Sequence, residues 1–296
     1  MKPALLIIGH GTKSAHGVSE FAALVDRVRE LAIDADIEGG FLELAPPPIQ
    51  DAVVRLVEAG HRTIDVVPLV LVAAGHSKGD IPAALERERL RHPGLVFRYG
   101  RPLGPHPLLL SELEDRLSAV VPPELWASTA VVLVGRGATD PDANAEVAKT
   151  ARLLLEGREI GTVEVGFISL AKPSVPDAMQ RAKLLGYQRI VVLPYFLFAG
   201  VLPDRIVAQA TSWAADNPEV EVHQAALIGP GLGLAQLVVE RWSEIAGGDL
   251  RMNCDTCAYR VLLPGFEAKV AAPQTPHDHP DDPAHPHGHG HHHVHV

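Results

Sequence analysis

A chain of 296 residues, 47% of them hydrophobic, has room for two globular domains of roughly 100 to 150 residues, each with its own core. Its net charge of −10 excludes a sequence-independent grip on nucleic acid, which needs a basic face over the phosphates. No apolar run, VVPLVLVAAG at 66–75 included, approaches the roughly 20 residues that cross a bilayer, and the N-terminal MKPALLIIGHG passes directly into a strand pattern. Neither signal peptide nor membrane anchor is expected, and the expected location is cytoplasmic.

In chain order, ALLIIG (4–9) reads as a buried strand, VSEFAALVDRVRELA (18–32) as an amphipathic helix and IEGGFLE (37–43) as a second strand. IQDAVVRLVEAG (49–60) then reads as a helix and TIDVVPLVL (63–71) as a third strand. LVFRYG (95–100) and LLLSELEDRLSAVV (108–121) complete about four strands and four helices, and Pro122 and Pro123 mark a boundary.

The pattern then repeats. LLIIGHGT (5–12) returns as VVLVGRGA (131–138), and Phe41, Asp51, Gly60, Ile64 and Pro68 each find their like 126 positions on, at Phe167, Asp177, Gly186, Ile190 and Pro194. One displacement held without a gap over more than sixty positions indicates duplication. The chain therefore divides into tandem homologous domains at 1–124 and 125–248 and a tail at 249–296. Strands alternating with helices imply an α/β fold, in each domain a parallel sheet flanked by helices through right-handed βαβ units. The ligand site of such a pair is expected in the cleft between the domains, at strand ends.

His10, Glu43 and His76 follow the first, second and third strands of the first half. Two imidazoles and a carboxylate suit Co(II), Fe(II), Ni(II) or Zn(II), with positions left open for a substrate. One loop histidine alone would ordinarily be a polar surface residue; the convergence of three donors carries the inference. At the corresponding positions the second half has Arg136, Ser169 and Leu202, so one site is expected, facing a half that lacks the ligands. His16, His61, His92, His106 and His223 read as surface or packing residues, although His106 lies in a loop, RPLGPHP, near the same edge. Neither GHGT nor GRGA has the glycine spacing that cradles phosphate.

The stretches IIGHGT, FLE before a proline-rich helix start, GHSKGDIP and YGRPLGPHP resemble the class II chelatases of modified tetrapyrroles, the sirohydrochlorin cobaltochelatase and ferrochelatase group. The resemblance covers both halves and is strongest over 5–107. It implies insertion of a divalent metal into sirohydrochlorin without ATP, the metal being a substrate: Co(II) for cobalamin synthesis, with Fe(II) for siroheme synthesis or Ni(II) as alternatives. His10, Glu43 and His76 would be the metal-binding and catalytic residues. The many carboxylates of sirohydrochlorin call for local positive charge, and Lys13, Lys78, Arg101, Arg136, Lys172 and Arg205 follow the motifs.

In the tail, MNCDTC has the M-x-C-x-x-C form of long cobaltochelatases, which the resemblance associates with an iron–sulfur cluster and a histidine-rich region. Cys254 and Cys257 supply two thiolates where such a cluster usually takes four, so a cluster shared in a homodimer, other ligands in a monomer, thiol redox and an incidental pair all remain open. His277, His279, His285, His287, His289, His291, His292, His293 and His295 are nine of the sixteen histidines, in a stretch too poor in apolar residues to build a core. They read as metal-buffering groups, or as an expression tag. A non-enzymatic metal chaperone or storage protein acting through this tail is the contrasting function.

Overall fold

The computed structural model describes residues 2–248 and, beyond them, Ala268. The expectations at Cys254, Cys257 and the tail histidines lie outside the described residues.

The first half runs β1 (Ala4–Gly9), α1 (Ala15–Leu31), β2 (Asp36–Phe41), α2 (Ile49–Glu58), β3 (Thr63–Pro68), α3 (Ile81–Arg91), β4 (Val96–Tyr99) and α4 (Pro107–Ser118). The second runs β5 (Ala130–Gly135), α5 (Pro141–Leu155), β6 (Thr162–Phe167), α6 (Val175–Leu184), β7 (Arg189–Pro194), α7 (Val201–Asp216), β8 (Glu221–Gln224) and α8 (Leu232–Gly247). Each half forms a four-stranded parallel sheet, ordered β2-β1-β3-β4 and β6-β5-β7-β8. β1 and β5 are buried at every position, as expected of central strands covered on both faces.

Local chemistry sets the helix starts. Ser14 caps α1 by accepting from Gly17 N, and Asp140 caps α5 by accepting from Asp142 N. Ser174 and Asp177 form a reciprocal capping box at α6, where the first half begins α2 at Pro48 without a side-chain cap.

One face of each sheet is covered by its own helices, α2 and α3 in the first half, α6 and α7 in the second. The other face is shared. α8 packs on α1 and β3 of the first half, while α4 packs on α5 and β7 of the second, so one apolar cluster runs through both halves. The exchange is fixed by polar bonds at both ends. Arg116 of α4 donates to Leu227 O at 2.8 Å and Ile228 O at 2.7 Å. Arg241 of α8, 2% exposed, donates to Leu103 O at 2.6 Å, and Trp242 Nε1 donates to Asp65 at 2.8 Å. Among the described residues no helix is long and apolar enough to cross a membrane.

Candidate metal centre

In a sheet ordered β2-β1-β3-β4, the chain leaves β1 and β3 in opposite directions, and the crevice at their C-terminal ends is the natural ligand position. The parallel register continues past the strands there. Leu42 N donates to Gly9 O at 2.9 Å and Glu43 N to His10 O at 3.0 Å, so Glu43 lies beside His10.

A tight turn keeps it there. Ala45 N donates back to Glu43 O at 2.8 Å across Leu44, whose φ is +66°, a strained arrangement for leucine. Gly11, at φ +107°, abuts the same carbonyl so closely that a Cβ would lie 1.7 Å from Glu43 O. The second half repeats the clamp with Leu170 at φ +57°, Ala171 N on Ser169 O at 2.6 Å, and a Cβ on Gly137 1.8 Å from Ser169 O. The two halves share the scaffold, and the first alone mounts a histidine and a glutamate on it.

His76 enters from a helical turn. GHSKGDIP was expected to be a loop; instead His76–Asp80 forms one π-turn leading into α3, because Ile81 N bonds back five residues to His76 O, with Lys78 N bonding Ala74 O one turn earlier. That turn brings Asp80 under His76, with Oδ2 2.7 Å from Nδ1 and the carboxylate buried. A carboxylate on Nδ1 assigns the proton to that nitrogen and turns the Nε2 lone pair outward.

His10 Nε2 lies 3.1 Å from His76 Nε2 and 3.2 Å from Glu43 Oε1, and the imidazoles meet edge to face with centroids 4.4 Å apart. Among the described residues no three His, Cys, Asp or Glu side chains already enclose an ion-sized position. The trio meets at Nε2 of His10. Asp80 on Nδ1 of His76 and the Gly11 carbonyl 3.2 Å from Nδ1 of His10 place the ring protons on those two nitrogens, so both Nε2 lone pairs face the space between them. A divalent ion there would be held by the two Nε2 atoms with Glu43 beside them.

Electrostatics hold His10 in its neutral form. Burial pushes the His10 pKa down to about 4, His76 and Arg136 push the same way, and the Gly11 carbonyl and Asp80 oppose them less strongly. Burial also lowers the Arg136 pKa, against the charge of Glu43, so the guanidinium stands within electrostatic range of both.

His10 and His76 open into a cleft of about 530 Å³ between the halves, a size usual for small-molecule sites of roughly 300–1,000 Å³. Its walls are apolar, with Phe21, Phe41 and Leu71 from the first half facing Phe196 and Phe198 from the second. Lys13 and Arg136 line it.

Four other expected cations do not line it. Lys78 is 7% exposed and is held by Asp140 at 2.7 Å and Asp142 at 3.1 Å; their hydrogen bonds and charges outweigh burial and raise its pKa. Arg101 pairs with Glu244 of α8 at 2.8 Å, Lys172 with Asp177 at 3.5 Å on the surface, and Arg205 lies on the exposed side of α7. His106 likewise bonds Glu240 of α8 and caps α4 rather than lining the cleft. Proximity to a motif locates a residue along the chain, whereas side-chain direction depends on which partner packs against it. Asp80 and the acidic first turn of α5 escaped the sequence reading. The H-x-x-x-D spacing would have revealed Asp80 had the segment been taken as helical.

The family model CbiX matches residues 4–120 and again 130–245. A sirohydrochlorin cobaltochelatase of Priestia megaterium is 34% identical over 264 residues, covering 87% of this chain and 85% of its own. A sirohydrochlorin ferrochelatase of the same organism is 30% identical, covering 72% and 80%. The crystal structure of the sirohydrochlorin chelatase SirB from Bacillus subtilis subspecies spizizenii in complex with cobalt is similar with a TM-score of 0.70 at 29% identity, over 84% of this chain and 97% of that one.

Proposed function

The chain belongs to the CbiX family, and on that premise we propose that it is a sirohydrochlorin chelatase, inserting a divalent metal ion into the macrocycle in the cleft between its halves. The observation that carries the reading is the meeting of His10, His76 and Glu43 around one shared nitrogen at the edge of an apolar slot. The flat ring lies against the aromatic walls, and Lys13 and Arg136 meet its carboxylates. Nε2 of His10 and of His76 hold the ion on one side of the ring, with Glu43 beside them. The four ring nitrogens take the ion and give up two protons for its two positive charges. A side chain whose bond to the ion breaks accepts one of those protons, and solvent at the open rim of the cleft takes the other.

Cobalt is the metal we assign, in the branch leading to cobalamin. The 34% identical relative is a cobaltochelatase, and the M-x-C-x-x-C and histidine-rich tail resemble the long cobalt enzymes. Iron insertion is the second reading, favoured by the 30% identical ferrochelatase. An anaerobic absorbance assay with sirohydrochlorin and limiting Co(II), Fe(II) or Ni(II) tests both. The expected result is fastest spectral conversion with Co(II), abolished in His10→Ala and His76→Ala. No metal-dependent spectral change would remove the chelatase reading, and wild-type rates in both variants would remove the site. Deleting residues 270–296 separates enzyme from metal carrier, since an enzyme supplied with excess Co(II) retains its rate.

A further inference from the structure

Two loops must face each other across the cleft at a set distance: the π-turn carrying His76, and the Arg136–Ala138 loop of the second half. Both are tied to the first turn of α5. Asn144 takes Ala138 N at 2.9 Å and returns a bond to Ala138 O at 2.8 Å. Asp140 accepts from Asp142 N through Oδ1 and from Lys78 through Oδ2, while Asp142 accepts from Lys78 at 3.1 Å. All three charged side chains of this bridge are at most 7% exposed. Lys78 stands two residues from His76, in the middle of the turn that Asp80 closes.

The duplication supplies an internal comparison. The positions that correspond to Lys78, Asp140, Asp142 and Asn144 in the other half are Asp204, Ser14, His16 and Val18. The fold is built twice and the charged bridge once, on the side that holds His76; at the matching contact Thr12 and Glu20 bond the backbone of Ala199 instead, so the scaffold does not require a buried lysine there.

We propose that the first turn of α5 is the registration element of the site, and that Lys78 is a positioning residue, coupling His76 to the second half through Asp140 and Asp142. This rests on the chelatase reading for its purpose and on geometry for its substance. The second half then does more than wall the cleft: it sets where the metal ligand stands relative to the ring.

The test uses the full chain with Lys78→Met, Asp140→Asn and Asp142→Asn combined. Neutralising all three avoids stranding a buried charge, and asparagine keeps the α5 cap. Co(II) alone is titrated and its d–d absorption followed, with His76→Ala subtracted so that the tail histidines, common to all variants, cancel. The expected result is a melting curve close to wild type, a Co(II) affinity at the His76-dependent site weakened at least tenfold, and a similar rise in KM for Co(II) with a much smaller change in KM for sirohydrochlorin. A general loosening would instead move both KM values and the melting curve together. Should the triple variant not fold, Asp142→Asn, which leaves the 2.7 Å bond to Asp140, carries the same comparison with a loss in the same direction. Wild-type Co(II) absorption and wild-type KM for Co(II) in a folded variant overturn the proposal, as does a wild-type protein with no His76-dependent signal. Failure of wild type to insert metal would unseat the chelatase reading instead, and the absorption titration would still decide the bridge.

Discussion

Gly11→Ala places a methyl where the structure has a carbonyl. The new Cβ would stand 1.7 Å from Glu43 O, and since a carbon–oxygen contact needs about 3.3 Å, the two loops must part by about 1.6 Å. Alanine at φ +107° adds backbone strain, and together these are expected to cost about 2–4 kcal/mol, or roughly 5–15 °C in melting temperature for a body of this size. Gly137→Ala makes the same intrusion, 1.8 Å from Ser169 O, and should destabilise about as much. The functional outcomes should diverge. Moving Glu43 by more than 1 Å from His10 should cost on the order of 100-fold in insertion rate, whereas Ser169 is no candidate metal ligand and any loss through neighbouring Arg136 should fall on KM for sirohydrochlorin. Thermal melts and the anaerobic insertion assay on both variants make the comparison. Equal losses of stability with equal rates of insertion would refute the assignment of Glu43 to the metal centre.

Asp80→Asn keeps the shape beneath His76 and removes the carboxylate 2.7 Å from Nδ1; Co(II) binding should weaken about 10- to 100-fold, read by titration in the absence of ring. Arg136→Ala should raise KM for sirohydrochlorin more than KM for Co(II), the outcome expected of a cleft-lining guanidinium that serves the ring carboxylates rather than the ion. Arg241→Met strands the Leu103 carbonyl under α8 and takes one of the two arginines from Glu244, which keeps Arg101, and denaturant melts should show a loss of about 1–3 kcal/mol.

Much of the first half was legible because its signals are local. The continuous apolar run of ALLIIG, the glycine after it and the 126-residue repeat indicate parallel strands ending in tight turns, and they bring His10, Glu43 and His76 to one edge. The exchange of α4 and α8 has no local signal, since an amphipathic helix does not record which sheet it will cover. Arg101 was misplaced for that reason, and the packing role expected of His106 had no visible partner: Glu244 and Glu240 sit on a helix more than 130 residues away. Lys78 was read as a cation for the ring because Asp140 and Asp142 lie 62 and 64 residues further on.

The exchanged helices also bear on how the ring comes and goes. Swinging the halves apart on a hinge would lift α8 from β3 and α4 from β7, wetting Leu109, Leu113, Leu117, Leu234, Leu237 and Val238, all fully buried. At about 1.5–3 kcal/mol for each side chain, that is roughly 9–18 kcal/mol, as much as the whole stability of an ordinary domain. The jaws are therefore of fixed gauge. Access to the cleft is expected along its open rim, where Lys13 stands, rather than through a clam-like opening of the body.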